Sequence, residues 1–568
     1  MLAQRRPRAR HAAIEAAIPL ALAGAAWLLY GPVLRLWWTD DDFVHLRLLL
    51  TQRPFWYFFD AAGYRAFRGN LTPLLFFSLD ADRRLFGLVP QAFYLHHLAS
   101  LSLCAAALYG ALRLWLPRLW SVLGAGIFLI GPVTASLATI LAVRHYVEAI
   151  LLASLALMAW AGALRRSPGP RAWRFAWLSA ALYLAACLAK EVAVPLCVLL
   201  PLLPPPGTRH LGFRERLRLA LPHALALALY LALRWVMLGT LLGGYGFVVR
   251  PSDLPALALA LPGKVAVEFM AGSLSPAAAV FALVLAAGML PPLLPPHGRR
   301  AAALIGVALL LALLPVLPVS THLQPRLAVP AWLVVAVAFA TGCSTLAQAE
   351  SRARRRAAVA AAIIACASGL WVNRQDWGVR FATAERKSAE NHFFLEMGED
   401  DVLRQPLTLA ASLQELEWMK KVVFRHPLET RWFQDDLYLC LHRGRLGRVW
   451  GFDPGARRVV DVTARIPALR ARHCSSIRSG APLRASFRVT GKRFFWDLGP
   501  YQDGTYRFVL EDGRQTFEMP RSAGFDVQGR LALPPLRIAY ESPDGWITCS
   551  PELRPQLADG WSLRWSRP

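Results

Sequence analysis

Long apolar runs divided by short arginine-rich segments fill the first two-thirds of this chain, and no other feature limits its fold so strongly. A run of about 20 apolar residues is long enough to cross the hydrocarbon core of a bilayer as a helix. Only helices and closed barrels satisfy their backbone groups there. Charged residues make up just 18% of the chain while hydrophobic ones reach 55%, against roughly 25% charged in a soluble domain. The net charge of +26 comes from 63 Lys and Arg against 37 Asp and Glu. A soluble protein so basic would suggest nucleic acid. Here the arginines cluster between apolar runs, so they read as cytoplasmic loops under the positive-inside rule, and no nucleic-acid partner is expected.

The basic N-terminus (1–11) is expected in the cytoplasm, followed by a span over 12–36. A cleaved signal peptide is the competing reading, but the run is long for one and lacks a clear small-residue cleavage site. Residues 38–90 form a first outer loop in which WYFF (56–59) and LLFF (74–77) are too short to span and read as interfacial segments. A second span covers 91–112. Three apolar regions, 119–164, 175–203 and 301–347, are interrupted by Arg144-His145, Lys190-Glu191 and THLQPR (321–326). Each is flanked on both sides by arginine-rich segments, so each reads as a hairpin with its charged break at an outer tip. Spans near 219–238 and 275–294 enclose a further outer loop, and a last one near 357–372 returns outward. The fold class is therefore a polytopic α-helical membrane protein of about eleven spans. An odd number places the remainder of the chain, as a periplasmic or extracellular domain, outside a bacterial inner (plasma) membrane.

Beyond 372 the pattern changes. Residues 373–445 read as mostly helical, for example LQELEWMKKVVF (413–424), and 446–568 as a β-rich domain. TYRFVL and RQTFEM flank Asp512-Gly513 as a hairpin, LRASFRV and LRIAY add strands, and a small sandwich or barrel results. The C-terminal domain is thus α+β. Its aromatics, including Trp496, Trp546, Trp561 and Trp565, suit either sugar stacking or, more cheaply, the core of the β-domain. Five of the eight cysteines lie in membrane runs, and Cys440, Cys474 and Cys549 lie in the tail. An oxidising compartment permits one disulfide there, with Cys474–Cys549 the expected pair because each lies near a strand. No C-x-x-C pair suggests structural zinc.

Chemistry points to the outer face. Asp40, Asp41 and Asp42 follow the first span, while Arg144, His145, Lys190, Glu191, His322 and Arg326 occupy the hairpin tips. Ionisable groups at a membrane edge are expensive and mark function by default, although any one tip taken alone could be a solvated turn. Three adjacent carboxylates cannot all ionise cheaply, so one can serve as a general base or as a ligand to a divalent metal ion.

With these residues in view, the chain resembles the GT-C superfamily of polyprenyl-phosphate-sugar glycosyltransferases, nearest the protein O-mannosyltransferase-like (glycosyltransferase family 39-like) members. The resemblance covers about residues 12–345. It rests on DDF (41–43) after the first span, YRAFRGNLTPLLF (64–76), FGLVPQAFYLHH (86–97), Arg144 onward, LAKE (188–191) and Arg326 before an apolar helix. It implies a sugar on polyprenyl phosphate as donor and a glycan, lipid or protein as acceptor. It also implies inversion at the anomeric carbon. Asp41 or Asp42, with Asp40 next, would be the base. Arg144, Lys190, Arg326, Arg65 and Arg68 would bind the lipid phosphate, supported by His97, His145, Glu191 and His322. The sequence departs from the pattern where Ala66 follows Arg65 and the proline comes only at Pro73, and it lacks the TPR array of some relatives. A transporter or flippase for lipid-linked glycans, and a non-catalytic scaffold displaying the tail, are the alternatives. The carboxylates discriminate: an enzyme loses activity when Asp41 or Asp42 is changed.

Overall fold

A computed structural model of the protein describes residues 5–39, 41–67, 70–167, 169–206, 211–241, 254–273, 275–291, 298–317, 323–404, 410–426, 431–442, 444, 446–491, 493–510, 513–526 and 533–568. The chain separates into two compact units, Met1–Ala384 and Glu385–Pro568.

Among the described residues, the regular structure of the first unit is all helical. Helix α1 (Arg5–Tyr30) carries the first apolar run. Four short helices fold the loop after it: α2 (Asp42–Thr51), α3 (Trp56–Phe59), α4 (Ala61–Phe67) and α5 (Pro73–Phe86). Trp56, Tyr57, Tyr64 and Phe76 are buried against one another, so WYFF, expected as an interfacial segment, supplies a core to this loop. The apolar runs become α6 (Pro90–Leu112), α7 (Arg118–Ile130), α8 (Pro132–Ala138), α9 (Arg144–Arg166) and α10 (Pro170–Ala189), then α11 (Leu196–Leu199), α12 (Phe213–Leu219) and α13 (Leu221–Leu238). They continue as α14 (Leu254–Phe269), α15 (Pro276–Met289), α16 (Gly298–Leu313), α17 (Val329–Ala347) and α18 (Arg352–Glu396). Among the described residues, eight helices are long and apolar enough to cross a membrane, nine if α7 and α8 form one bent span. The expected number of about eleven is reached only if the shorter apolar helices Glu191–Leu202 and Pro276–Met289 also cross.

Two expectations are corrected here. The last span, expected over 357–372, belongs to a 45-residue helix that runs on to Glu396, because nothing between Arg352 and Glu396 breaks a helix. The segment after 238, expected as an outer loop, also contains a helix of its own, α14, with Pro262 inside it.

Between α7 and α8 the axis turns by 61° at Gly131-Pro132. Pro132 supplies no N–H, so carbonyls at the break need other donors. Tyr30 Oη donates to Leu129 O at 2.6 Å, and Trp332 Nε1 and Thr134 Oγ1 both donate to Phe128 O. Asn373 Nδ2 donates to Gly131 O at 3.3 Å and to Tyr30 Oη at 3.0 Å. A Cβ on Gly131 would lie 2.2 Å from Trp332 Nε1, so only glycine admits the indole. Polar side chains from α1, α17 and α18 thereby stabilise an interrupted helix inside the apolar core.

The second unit holds two β-assemblies. In the first, β1 (Asp401–Arg404) lies between β2 (Trp432–Phe433) and β3 (Arg448–Asp453), parallel to both, and β3 pairs antiparallel with β4 (Arg458–Asp461). Helices α19 (Ala410–Val422), α20 (Leu437–Leu441) and α21 (Ile466–Ser475) accompany it. The 401–404 and 432–433 strands were expected as part of a helical segment, and β1–β3 pairing runs across the boundary expected at 445. A central strand is buried on both faces and shows no alternation, and here it is four residues long, so its sequence carries no strand period.

The rest is a sandwich, as expected. Its strands are β5 (Leu483–Thr490), β6 (Arg493–Gly499), β7 (Thr505–Leu510), β8 (Gln515–Met519), β9 (Ser522–Asp526), β10 (Leu536–Glu541), β11 (Ile547–Cys549) and β12 (Ser562–Arg567). They form two antiparallel sheets, ordered β11-β10-β7-β8 and β12-β5-β6-β9. The LRASFRV strand alternates buried and exposed along its length, and Phe487, Phe494, Trp496, Phe508 and Ile538 fill the space between the sheets. Trp496 is therefore core, which is the cheaper of the two readings of the tail aromatics. The β7–β8 hairpin forms in the expected place. The disulfide joins Cys440 to Cys474, not Cys474 to Cys549. Helices α20 and α21 bring their cysteines to a Cα–Cα distance of 5.7 Å, within bridging range. Cys549 remains a thiol within sheet β11-β10-β7-β8.

Candidate active site

The acidic triplet divides into groups with different tasks. Asp40 lies outside the described residues. Asp42 is 4% exposed, and each of its oxygens accepts a backbone N–H: Oδ2 from Thr39 at 2.9 Å and Oδ1 from Ala142 at 3.0 Å. It thus joins the loop after α1 to the turn that precedes α9, 100 residues later. Asp41 is exposed, at the N-cap of α2, and among the described residues no hydrogen bond or ion pair engages its carboxylate.

One turn on, the buried His45 ring places Nδ1 2.8 Å from Asp41 O. A carbonyl only accepts, so Nδ1 carries the proton and donates. Burial holds this imidazole below its ordinary value against the opposing pull of the Asp41 charge, so it stays neutral near pH 7. His145 lies within electrostatic reach of His45, Lys190 and Arg326. Lys190 follows α10 directly, forms an ion pair of 2.9 Å with Glu191 and stands 5.2 Å over the Tyr146 ring. Glu191 in turn feels Arg234 of α13. Arg326, in the turn before α17, is half-buried. His45, His145, Lys190 and Arg326 therefore bring four separate segments into one charged neighbourhood, with Asp41 on the same segment as His45.

Other expected residues are placed elsewhere. Arg144 does not join this group. It is fully buried, bonded to Asp82 at 2.5 Å and to Phe93 O at 2.5 Å, with Ser78 Oγ at 3.1 Å. A guanidinium so enclosed is a tie between α5, α6 and α9, and it has no exposed face to offer a phosphate. Arg65 is exposed, and its Nη2 donates to Val236 O at 2.8 Å, capping the last turn of α13. His97 donates Nε2–H to Leu137 O at 2.8 Å and steadies the segment after α8. Arg68 and His322 lie outside the described residues.

A second polar cluster escaped the sequence reading. Asp82 bonds His96 Nδ1 at 2.7 Å as well as Arg144, Ser78 donates to Glu148 at 2.6 Å, and Asp80 takes Arg83 and Arg84 at 2.7 and 2.9 Å. The nearby Tyr57 hydroxyl is pushed up to about 12 by burial and by the Asp80 charge. The signal was DADRR (80–84), whose acids and following bases at helical spacing look like a solvated face until Arg144 of α9 takes Asp82. His45 and Arg234 were missed because a lone His or Arg in an apolar helix has no local pattern. Among the described residues, no group of three or more His, Cys, Asp and Glu side chains is arranged to hold a metal ion, and both oxygens of Asp42 are already engaged.

No protein-family model matches the chain, and no curated protein sequence does. Among solved structures it is similar to ArnT from Cupriavidus metallidurans bound to undecaprenyl phosphate, at 13% identity over 83% of this chain and 92% of that one, with a TM-score of 0.41. The apo form of that ArnT gives 12% identity, 79% and 94% coverage and the same TM-score of 0.41. The Archaeoglobus fulgidus oligosaccharyltransferase tethered to an acceptor peptide gives 12% identity, 66% and 58% coverage and a TM-score of 0.39. These values describe a distant likeness, from which no residue's role is taken.

Proposed function

We propose that this chain is a membrane glycosyltransferase that moves a sugar from a polyprenyl-phosphate donor to an acceptor hydroxyl. What supports the reading is that His145 lies within electrostatic reach of Lys190, Arg326 and His45, and that His45 is bonded to the residue carrying the exposed carboxylate, Asp41. A lipid phosphate reaches such a place from the bilayer while its sugar extends toward the carboxylate.

In the step proposed, Asp41 takes the proton of the acceptor hydroxyl as its oxygen attacks the anomeric carbon. The bond from that carbon to the phosphate oxygen breaks with inversion, and the electron pair leaves on the lipid phosphate. Arg326 meets the phosphate directly, because a planar guanidinium makes paired, charge-assisted bonds. Lys190 is 1% exposed and bound to Glu191, so it acts through its field rather than by contact. Asp42 positions Asp41 rather than reacting. The reaction side is taken as periplasmic. Arginine-rich loops on the other side support this, as does the Cys440–Cys474 bridge, since disulfides persist in oxidising compartments. The bent α7–α8 pair favours one second reading, a flippase, because interrupted helices recur in transporters.

The test is transfer by the purified full chain in nanodiscs, offered a panel of polyprenyl-phosphate sugars and simple acceptors. Release of lipid phosphate with sugar transfer is expected. Asp41→Asn should lower turnover about 10²–10⁴-fold with donor binding nearly kept, and Arg326→Ala should weaken donor binding. Movement of intact donor across the bilayer without cleavage would favour the flippase. Full activity of Asp41→Asn would overturn the assignment of the base.

A further inference from the structure

The surface of the sandwich in the second unit carries an open depression of about 340 Å³ where chain passes from one sheet to the other, with Gln502, Glu518 and Pro520 exposed along it. This volume lies within the range of small-molecule sites, roughly 300–1,000 Å³. Gln502 reaches it from the β6–β7 connection, Thr505 from the start of β7, Glu518 and Met519 from the end of β8, and Pro520 and Arg521 from the crossing to β9. We propose that this depression is a binding site for a neutral saccharide.

Chemistry and charge select that class. Four polar side chains converge: an amide, a hydroxyl, a carboxylate and a guanidinium. Arg521 is held by its Nε, which donates to Leu498 O at 3.1 Å, so its terminal nitrogens keep a fixed direction. Among the described residues, no hydrogen bond or ion pair engages the Gln502, Thr505 or Glu518 side chains, and Glu518 and Arg521 are not paired although both line the depression. Separated acceptors and donors of this kind match neighbouring hydroxyls, each of which both donates and accepts. The two charged groups sum to zero, so the lining neither attracts a phosphate or sulfate nor repels an uncharged polyol. Met519 and Pro520 add an apolar surface against which the C–H face of a sugar ring packs. A glycan-modifying enzyme gains from such a site by raising the local concentration of its acceptor, but the inference stands on the depression alone and does not need the transferase reading.

The experiment uses the full chain in nanodiscs and saturation-transfer NMR with a panel of neutral disaccharides, alongside a sulfated disaccharide and glycerol phosphate. Transfer to at least one neutral disaccharide is expected. Glu518→Gln and Arg521→Lys should each weaken it by about tenfold or more, the scale for losing a hydrogen bond to a charged group. Circular dichroism of each variant confirms that the sandwich is intact. Asp41→Asn should bind the disaccharide as the unaltered protein does, which separates this site from the donor reaction. Three outcomes overturn the proposal: no neutral saccharide binds, binding is unchanged in both variants, or the sulfated probe binds better than its neutral counterpart.

Discussion

Asp41 and Asp42 are adjacent carboxylates in different surroundings, to which the proposed function gives different work, and replacing each by asparagine separates the two. In Asp42→Asn the side chain keeps its shape and loses one acceptor. Of the two N–H groups it serves, at Thr39 and Ala142, one must then face an amide NH₂. The site is only 4% exposed, so water does not replace the lost partner. A buried, unsatisfied donor costs about 1–3 kcal/mol, and a hydrogen bond to a charged group is worth about 1.5–3 kcal/mol. A destabilisation of about 2–3 kcal/mol is expected, together with a looser join between the loop after α1 and the start of α9. Asp41 is exposed, and its replacement should stay within about ±0.5 kcal/mol. Thermal unfolding of both variants in one detergent, beside turnover on the panel of donors, reads the difference. Asp41→Asn should be as stable as the unaltered protein and nearly inactive. Asp42→Asn should unfold earlier and retain activity in its folded fraction. An Asp42→Asn protein of full stability and no activity would refute the division of labour and make Asp42 the base.

The Arg144–Asp82 pair is buried on both sides, so Arg144→Met alone should destabilise the first unit by about 3–5 kcal/mol, and adding Asp82→Asn should recover part of that loss in thermal unfolding. Changing Cys440 and Cys474 to serine opens a loop of sequence separation 34 and should cost the second unit about 3–4 kcal/mol in denaturant unfolding. Peptide mapping of unreduced protein should find that bridge, with Cys549 as the remaining tail thiol. Burial pushes the Tyr506 hydroxyl from 10.0 up to about 12. The folded state therefore keeps this proton where the unfolded chain has lost it. The stabilisation is complete below pH 10 and declines as pH rises toward 12, so Tyr506→Phe should flatten the alkaline loss of stability followed by circular dichroism. Reporter fusions at Ser167 and after Pro568 should report opposite sides of the membrane, and the same side for both would remove the basis for a periplasmic second unit.

Much of the architecture was local and therefore readable. Apolar runs near 20 residues specify spans whatever they pack against, because lipid demands that a helix close its own hydrogen bonds. Alternation along 483–490 and the turn at Asp512-Gly513 likewise specify strands and a hairpin within a few residues. The same locality explains the misplacements. The four-residue β1 has no period to read, and Arg352–Glu396 passes from apolar to polar without any residue that ends a helix. The candidate site was legible only as a set of expensive charges at the ends of spans. The sequence could not say which of them meet. Arg144 and Arg326 look alike as arginines beside apolar helices, yet Asp82 encloses the first and the second remains half-buried near Lys190 and His145. Asp41 and Asp42 are neighbours with the same chemistry, yet the N–H groups of Thr39 and of Ala142, 100 residues away, engage only Asp42 and leave the Asp41 carboxylate exposed. Residue type and spacing determined that charge would gather at the membrane edge, since a charge within lipid must be paired or reach water. Tertiary contacts between distant segments decided which charges were neutralised by partners and which were left for chemistry.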